Sequence, residues 1–228
     1  MQKEQILIVL PVRDELRDSF RAAAPEAEIR CVGADEVTEA DVRSANVIIG
    51  NVDPAWIRDS KELGWIQLNS AGTEGFRGDA VPAGAVLTNA TGCYGLAISE
   101  HLIAMLFALQ KRLDVYAEEQ RARRWQPHEH MWTADGAVVL VLGLGDIGST
   151  FARKMKAMGS YVIGVRRHDI PKPDFVDEQY TMDALHELLP RADVIAMSLP
   201  GYEDTFGLIG AEEFALMKDT AILLNIGR

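Results

Sequence analysis

The sequence predicts an α/β protein built from two doubly wound units, each a parallel sheet covered by helices on both faces. Short apolar runs alternate with stretches of helical periodicity, which is typical of parallel sheets. A glycine-rich turn interrupts this alternation after the apolar run 138–142. The chain has 228 residues, which is enough for two modest domains at roughly 150 residues per domain.

The elements follow in order along the chain. In the first half, apolar runs predict strands at 6–10, 28–32, 46–50, 65–68 and 86–88, and helical patterns predict helices at 13–24 and 54–61. A long apolar pattern then predicts a buried helix over 98–113, followed by a polar, arm-like segment over 116–132. In the second half we predict strands at 138–142, 161–165, 193–197 and 221–224, with helices from 147, over 181–189 (capped by Thr181) and over 211–217.

Composition excludes several classes of function. The net charge of -11 argues against nucleic acid or an anionic membrane surface as a partner. No apolar run reaches the roughly 18 residues of a membrane-spanning helix, and the first strand begins too early for a signal peptide. Cys31 and Cys93 stand far apart and outside any metal-ligand spacing, so we expect a reducing cytoplasm and no metal.

The turn after 138–142 has the pattern Gly-x-Gly-x-x-Gly and leads into a helical pattern. Gly143 permits the tight turn, Gly145 allows a pyrophosphate to approach the backbone, and Gly148 allows the helix to pack close to its strand. The unpaired N–H groups and the positive dipole of that helix start suit a phosphate group. This context predicts a dinucleotide site; a glycine-rich turn without a ligand is the alternative.

The end of the next strand indicates which dinucleotide binds. An NAD site usually carries an acidic residue about 20 residues after the glycines, where it binds the ribose hydroxyl groups. Here Arg166 and Arg167 occupy that place. Guanidinium groups match phosphate oxygens, so we predict a preference for NADP(H), with NAD(H) possible if Asp169 serves as the ribose ligand.

Several segments, in this order and spacing, resemble the D-isomer-specific 2-hydroxyacid dehydrogenases. They are 65–72, 88–92 continuing to 97–101, 142–148, 198–200 with Thr205, 214–218 and 224–228. The resemblance implies a flavodoxin-like substrate-binding domain over 1–95. It also implies a Rossmann cofactor domain over 96–228 that stops early and includes an interdomain helix over 96–113.

The same resemblance implies a reaction, in which hydride passes between NADP(H) and a small 2-oxo or 2-hydroxy acid of the glyoxylate or hydroxypyruvate type. It places the substrate carboxylate on Ser70, Ala71 and Gly72, and it makes Arg228 the catalytic residue that polarises the carbonyl. The implied cofactor-binding residues are Gly143, Gly145, Asp146, Ile147, Gly148, Arg166, Arg167, Leu199, Pro200, Thr205, Asn225, Ile226 and Gly227. A homodimer through the cofactor domain is also implied, with Trp125 and Trp132 suited to its interface.

The sequence departs from the family pattern in one respect. The family's general acid is a histidine oriented by a glutamate, and both follow the block that ends here at Arg228. None of the histidines of this sequence fits that role by position, and His101 is expected to pack. We therefore expect the sequence to be part of a longer protein. A catalytically incomplete cofactor-binding regulator and a phosphoglycerate dehydrogenase-like enzyme remain as alternatives.

Overall fold

Two compact units, 1–91 and 92–228, make up the chain. The computed structural model describes residues 3–76, 78–128, 131–168, 170–201 and 203–227. Each unit carries one five-stranded parallel sheet flanked by helices, which confirms the predicted fold class.

The first unit is built on strands that alternate with short helices. The strands are β1 (Gln5–Val9), β2 (Glu28–Val32), β3 (Val47–Ile49), β4 (Trp65–Gln67) and β5 (Val86–Thr88). The helices are α1 (Asp14–Ala23), α2 (Glu39–Ser44) and α3 (Pro54–Ile57). The strand order is β2-β1-β3-β4-β5, which is the flavodoxin-like order. The loops after β3 and β4 therefore meet at the carboxyl edge of the sheet.

Helix α2 was not among the predicted elements, although its start carries a recognisable signal. The Thr38 hydroxyl accepts a hydrogen bond from the Asp41 N–H at 3.3 Å, and the Asp41 carboxylate accepts one from the Thr38 N–H at 3.0 Å. This reciprocal capping box satisfies two backbone donors that a helix start leaves unpaired. The Thr-x-x-Asp spacing stands in the sequence, but the helix is too short to show a clear apolar period.

The second unit contains the remaining strands and the longer helices. Its strands are β6 (Val138–Leu142), β7 (Tyr161–Arg166), β8 (Glu178–Thr181), β9 (Val194–Met197) and β10 (Ile222–Asn225). Its helices are α4 (Gly95–Gln110), α5 (Leu113–Arg121), α6 (Asp146–Ala157), α7 (Leu185–Leu188) and α8 (Ala211–Leu216). The order β10-β9-β6-β7-β8 places the first strand of the unit at the centre, as in a Rossmann sheet.

Alternate residues of β6 enter two separate apolar cores, which explains why its sequence is apolar throughout. Val139 and Val141 belong to the cluster that contains residues of α4 and α6. Leu140 and Leu142 belong to the cluster on the other face, with residues of α7. The strand order reverses at β6, because β7 and β8 are added on one side of it and β9 and β10 on the other. The crevice outside the carboxyl ends of β6 and β9 is therefore the place where such sheets bind ligands.

The predicted helix over 98–113 has different limits in the structure. Helix α4 begins at Gly95 and ends at Gln110, and α5 begins only after Arg112, whose φ of 51° is left-handed. That backbone conformation ends a helix, and the apolar pattern continues across it because both helices bury part of their surface. His101, which was expected to pack, is exposed, since the buried residues of α4 lie on another face.

Strand β8 was missed, and the prediction of a helix over 181–189 was wrong at both its start and its end. Residues 178–181 pair with β7 at the edge of the sheet. A 3-10 turn, the single α-helical turn α7 and a second 3-10 turn then follow. Thr181 makes no side-chain cap to the backbone and instead donates to the Asp183 carboxylate. The polar sequence of β8 hides it, because an edge strand need not be apolar.

The Glu178 carboxylate accepts hydrogen bonds from three side chains at the β8 edge of the sheet. It accepts from both terminal nitrogens of Arg191, at 2.5 and 3.0 Å, and from the hydroxyls of Tyr161 (2.7 Å) and Tyr180 (2.5 Å). Hydrogen bonds from Arg191, then from Tyr180 and Tyr161, lower the pKa of Glu178 to about 2. The charged form is therefore favoured by folding.

We expect Glu178→Gln to lower the free energy of unfolding at pH 7 by about 1–2 kcal/mol, a figure reduced for the partial exposure of Arg191. Because the folded pKa is depressed, this contribution is complete above the ordinary glutamate pKa and is lost as the pH falls from about 4.5 towards 2. Urea unfolding between pH 2 and pH 7 measures it. Glu187→Gln, the same change on an exposed side chain, is the control; equal losses in both variants would contradict the prediction.

Among the described residues, no helix is both long enough and apolar enough to cross a membrane. Within the same residues, no cluster of three or more potential ligand side chains could hold a metal ion.

Candidate functional site

The glycine turn of the second unit is shaped by contacts that only glycine permits. Gly143 follows β6 with a φ of +95°, a left-handed value that suits glycine. A Cβ at Gly148 would lie 1.9 Å from the Gly143 carbonyl oxygen and 2.5 Å from the Ser198 hydroxyl oxygen. Helix α6 therefore starts directly against the end of β6. These contacts agree with the roles predicted for Gly143 and Gly148.

The start of α6 leaves backbone donors open. Asp146 and Ile147 are the first two helical residues, so their N–H groups have no acceptor within the helix. In the part of the chain that the structure describes, no other protein acceptor takes them. A Cβ at Gly145 would meet nothing within 4 Å, so space remains above the turn. This cradle suits an anion such as a pyrophosphate.

A cavity of about 490 Å³ adjoins the turn. Its lining combines the glycine turn, the end of β7 and the loop after β9. The residues are Gly143, Leu144, Gly145, Arg166, Arg167, His168, Ile170, Met182, Leu199, Pro200, Asp204 and Thr205. Ligand pockets typically measure about 300–1,000 Å³. The structure thus brings together seven of the predicted cofactor-binding residues in a cavity of suitable size.

Two arginines and one carboxylate give this cavity its polar character. Arg166 is half-buried and donates from Nη2 to the Leu144 carbonyl oxygen at 3.0 Å, which ties it to the glycine turn. Arg167 is exposed and also lines the cavity. Asp204 was not predicted, and it brings a carboxylate to the same wall. Asp169, the alternative ribose ligand, lies outside the described residues.

The loops after β9 and β10 complete the edge of the site. The Ser198 hydroxyl donates to the Gly143 carbonyl at 2.7 Å, and the Thr205 hydroxyl donates to the Pro200 carbonyl at 2.6 Å. Asn225 accepts from the Gly227 N–H at 2.9 Å. Asn225, Ile226 and Gly227 lie outside the cavity lining, so their predicted contacts with a cofactor remain predictions.

The predicted substrate loop of the first unit presents three backbone donors. Among the described residues, no protein acceptor takes the N–H groups of Ser70, Ala71 and Gly72. Their carbonyl groups are held instead: the Ser70 carbonyl by the Ala90 N–H at 3.0 Å, the Ala71 carbonyl by the Asn89 side chain at 2.8 Å, and the Gly72 carbonyl by the Ser70 hydroxyl at 2.8 Å. Successive free N–H groups in a fixed loop form an anion-binding concavity.

The Asn51 side chain, which follows β3, supports this loop through two hydrogen bonds. Its side-chain oxygen accepts from the Asn69 N–H at 3.0 Å, and its nitrogen donates to the Ser70 hydroxyl at 3.1 Å. We expect Asn51→Ala to lower the free energy of unfolding by about 1 kcal/mol, since one backbone donor and one hydroxyl lose a partner. Asn51→Asp keeps the acceptor for Asn69 and should recover part of the loss; no difference between the two variants would contradict this role. Chemical denaturation measures both.

Comparison with known proteins decides the family. A family model described as the NAD binding domain of D-isomer specific 2-hydroxyacid dehydrogenases matches residues 103–228, more than half of the chain. The chain belongs to the D-isomer-specific 2-hydroxyacid dehydrogenase family. This finding confirms the resemblance drawn from the sequence motifs.

Individual members of the 2-hydroxyacid dehydrogenase family support this assignment. The chain is 26% identical to a D-3-phosphoglycerate dehydrogenase of Archaeoglobus fulgidus over 98% of its own length and 44% of that protein. It is 29% identical to a glyoxylate reductase of Korarchaeum cryptofilum over 66% of its own length and 46% of that protein. A crystal structure of a D-isomer specific 2-hydroxyacid dehydrogenase family protein from Aeromonas salmonicida superposes with a TM-score of 0.87 at 29% identity, covering all of this chain and 74% of that one.

The chain thus spans less than half the length of these two curated relatives. Arg228, the predicted catalytic residue, lies outside the described residues, so its role stays a prediction. Four histidines lie within the described residues (His101, His128, His168 and His186), and of these His168 lines the cavity of the second unit.

Proposed function

We propose that the chain provides the NADP(H)-binding and substrate-carboxylate-binding parts of a reductase that acts on small 2-oxo acids, of the glyoxylate or hydroxypyruvate type. The observation that carries the proposal is the cavity of the second unit, where Arg166 and Arg167 lie in the same lining as the glycine turn. A dinucleotide with an additional ribose phosphate requires both features: backbone donors for its pyrophosphate and cationic forks for its 2′-phosphate.

The described residues have the donors that NADP(H) requires. The N–H groups of Asp146 and Ile147 would hold the pyrophosphate, and the loop after β7 would hold the 2′-phosphate through Arg166 and Arg167. Leu199, Pro200 and Thr205 would cover the adenosine half. When bound, the nicotinamide supplies the hydride or accepts it. Asp204 lies in the same lining and gives NAD(H) a possible ribose ligand, so NAD(H) remains the second cofactor candidate.

The substrate would bind through its carboxylate to the N–H groups of Ser70, Ala71 and Gly72. The bonds that fix the carbonyl groups of this loop keep the donors in place before the substrate arrives. Arg228 would polarise the substrate carbonyl, because a fixed cation stabilises the charge that develops on that oxygen. We accordingly assign substrate binding to the domain 1–95 and cofactor binding to the domain 96–228.

Binding and turnover test the proposal separately. NADPH should raise the melting temperature of the protein more than NADH does at equal concentration, because only binding to the native state stabilises it. Glyoxylate and hydroxypyruvate should then be reduced with NADPH by the full-length protein. A larger shift with NADH would contradict the cofactor assignment. Binding of NADPH without reduction of any small 2-oxo acid would favour a cofactor-binding regulator on the same fold.

A phosphoglycerate dehydrogenase-like enzyme is the second candidate, because the relative from Archaeoglobus fulgidus that matches 98% of the chain carries that name. Oxidation of 3-phosphoglycerate that is faster than oxidation of glycerate would favour it.

We also propose a homodimer formed through the cofactor domain. Trp125 is fully exposed, and Leu109 and Leu113 of the neighbouring helices are about half exposed, at 51% and 54%, so this region offers apolar surface. Trp132 is partly buried against the core of its own unit and contributes less. Cys31 and Cys93 are free thiols, which fits the cytoplasm we propose as its compartment. A monomeric mass in light scattering would contradict the dimer.

A further inference from the structure

The family resemblance implied that Asp146 binds the cofactor, but its side chain forms hydrogen bonds with the backbone of another helix. Asp146 belongs to the glycine turn and is the first residue of α6. Its Oδ2 atom accepts from the Gly95 N–H at 2.8 Å and from the Tyr94 N–H at 3.3 Å. These are backbone donors at the start of α4, where the side chain of the cap residue makes no capping hydrogen bond to the helix backbone. A carboxylate of one helix thus caps another helix.

The contact between Asp146 and the start of α4 leaves room only for glycine at position 95. A Cβ at Gly95 would lie 2.4 Å from Asp146 Oδ1 and 2.7 Å from the Thr150 hydroxyl oxygen. Thr150 in turn donates to the Asp146 carbonyl at 2.8 Å. Helices α4 and α6 therefore meet closely at their first turns. Residues 92–94 precede this contact and join α4 to the first unit along the chain.

We propose that Asp146 is a positioning residue that links nucleotide binding in the glycine turn to the start of α4. The inference rests on the proposed function, in which the N–H group of Asp146 holds a phosphate. An anion held by that N–H restricts the residue whose carboxylate holds Tyr94 and Gly95. Nucleotide binding should therefore reduce local opening at the start of α4.

Cys93 reports on this opening, because it is exposed and directly precedes Tyr94. In a Cys31→Ser background it is the remaining thiol, and its rate of modification by a chromogenic disulfide can be followed. We expect NADPH to slow the reaction by about threefold or more when Asp146 is present, and to have little effect in Asp146→Ala. Asp146→Asn keeps an acceptor and should recover much of the effect.

Glu100→Gln is the matched control. It removes a charge on the same pair of helices, where Glu100 Oε1 lies 3.4 Å from Lys154 Nζ at the surface.

NADPH binding is measured in parallel by its fluorescence, so that the two proposals can fail separately. Binding without any change at Cys93, or an equal change in Asp146→Ala, overturns the inference and leaves the proposed function intact. No NADPH binding overturns both. If Asp146→Ala does not fold, amide exchange at Tyr94 and Gly95 in the unaltered protein decides: slower exchange with NADPH supports the link, and unchanged exchange overturns it.

Discussion

Gly148→Ala is expected to lower the free energy of unfolding by about 3 kcal/mol or more, the largest single effect we predict. The added methyl group would lie 1.9 Å from a backbone oxygen, that of Gly143, and this atom cannot rotate away as a side chain can. Relief requires α6 to move off the end of β6. That movement would open the core in which Phe151 and Met155 of α6 are fully buried.

Gly145→Ala is the matched variant, because the same methyl group meets nothing within 4 Å there and the φ of -78° suits alanine. We expect its stability to fall by no more than about 1 kcal/mol. Its affinity for NADPH should nevertheless fall about tenfold or more, since the methyl group fills the space above the phosphate donors. Urea unfolding and fluorescence titration measure the two properties. Equal stability of the two variants would contradict the packing role of Gly148.

Arg167→Ala is expected to raise the Kd for NADPH by about tenfold to a hundredfold, because the variant loses one charge-assisted contact with a phosphate. The Kd for NADH should change much less, because NADH lacks the 2′-phosphate. Arg166 is less suited to this test, because its Nη2 bond to the Leu144 carbonyl supports the glycine turn. Substitution of Arg166 would therefore mix a loss of charge with a change in the turn.

The control for this experiment is Arg121→Ala, which removes the same charge from an exposed position at the end of α5, away from the cavity lining. A similar rise in the Kd of both nucleotides on Arg167→Ala would contradict a phosphate-specific role. A similar effect of Arg121→Ala would show that the overall charge governs binding. Titrations at two salt concentrations separate these cases, because salt screens distant charges more than contacts.

The sequence by itself determined the parts of this protein that depend on local pattern. The apolar residues of β6 and the glycines at 143, 145 and 148 predict a strand, a turn and a helix because each follows from the backbone geometry of neighbouring residues. The alternation of such patterns along the chain predicts the two parallel-sheet units, and the order and spacing of several motifs resemble the 2-hydroxyacid dehydrogenase family, which the family model confirms.

Only the tertiary structure decided which side chains meet across large distances in the chain. Asp146 lies 51 residues from Gly95 and Asn51 lies 18 residues from Asn69, and neither contact leaves a periodic signal. Strand β8 exists because β7 offers it a pairing edge, although its own residues are polar. Asp204 lines the cavity because the loop after β9 passes beside it. Hydrogen bonds between distant residues depend on where the folded backbone brings them, and a local pattern does not encode that position.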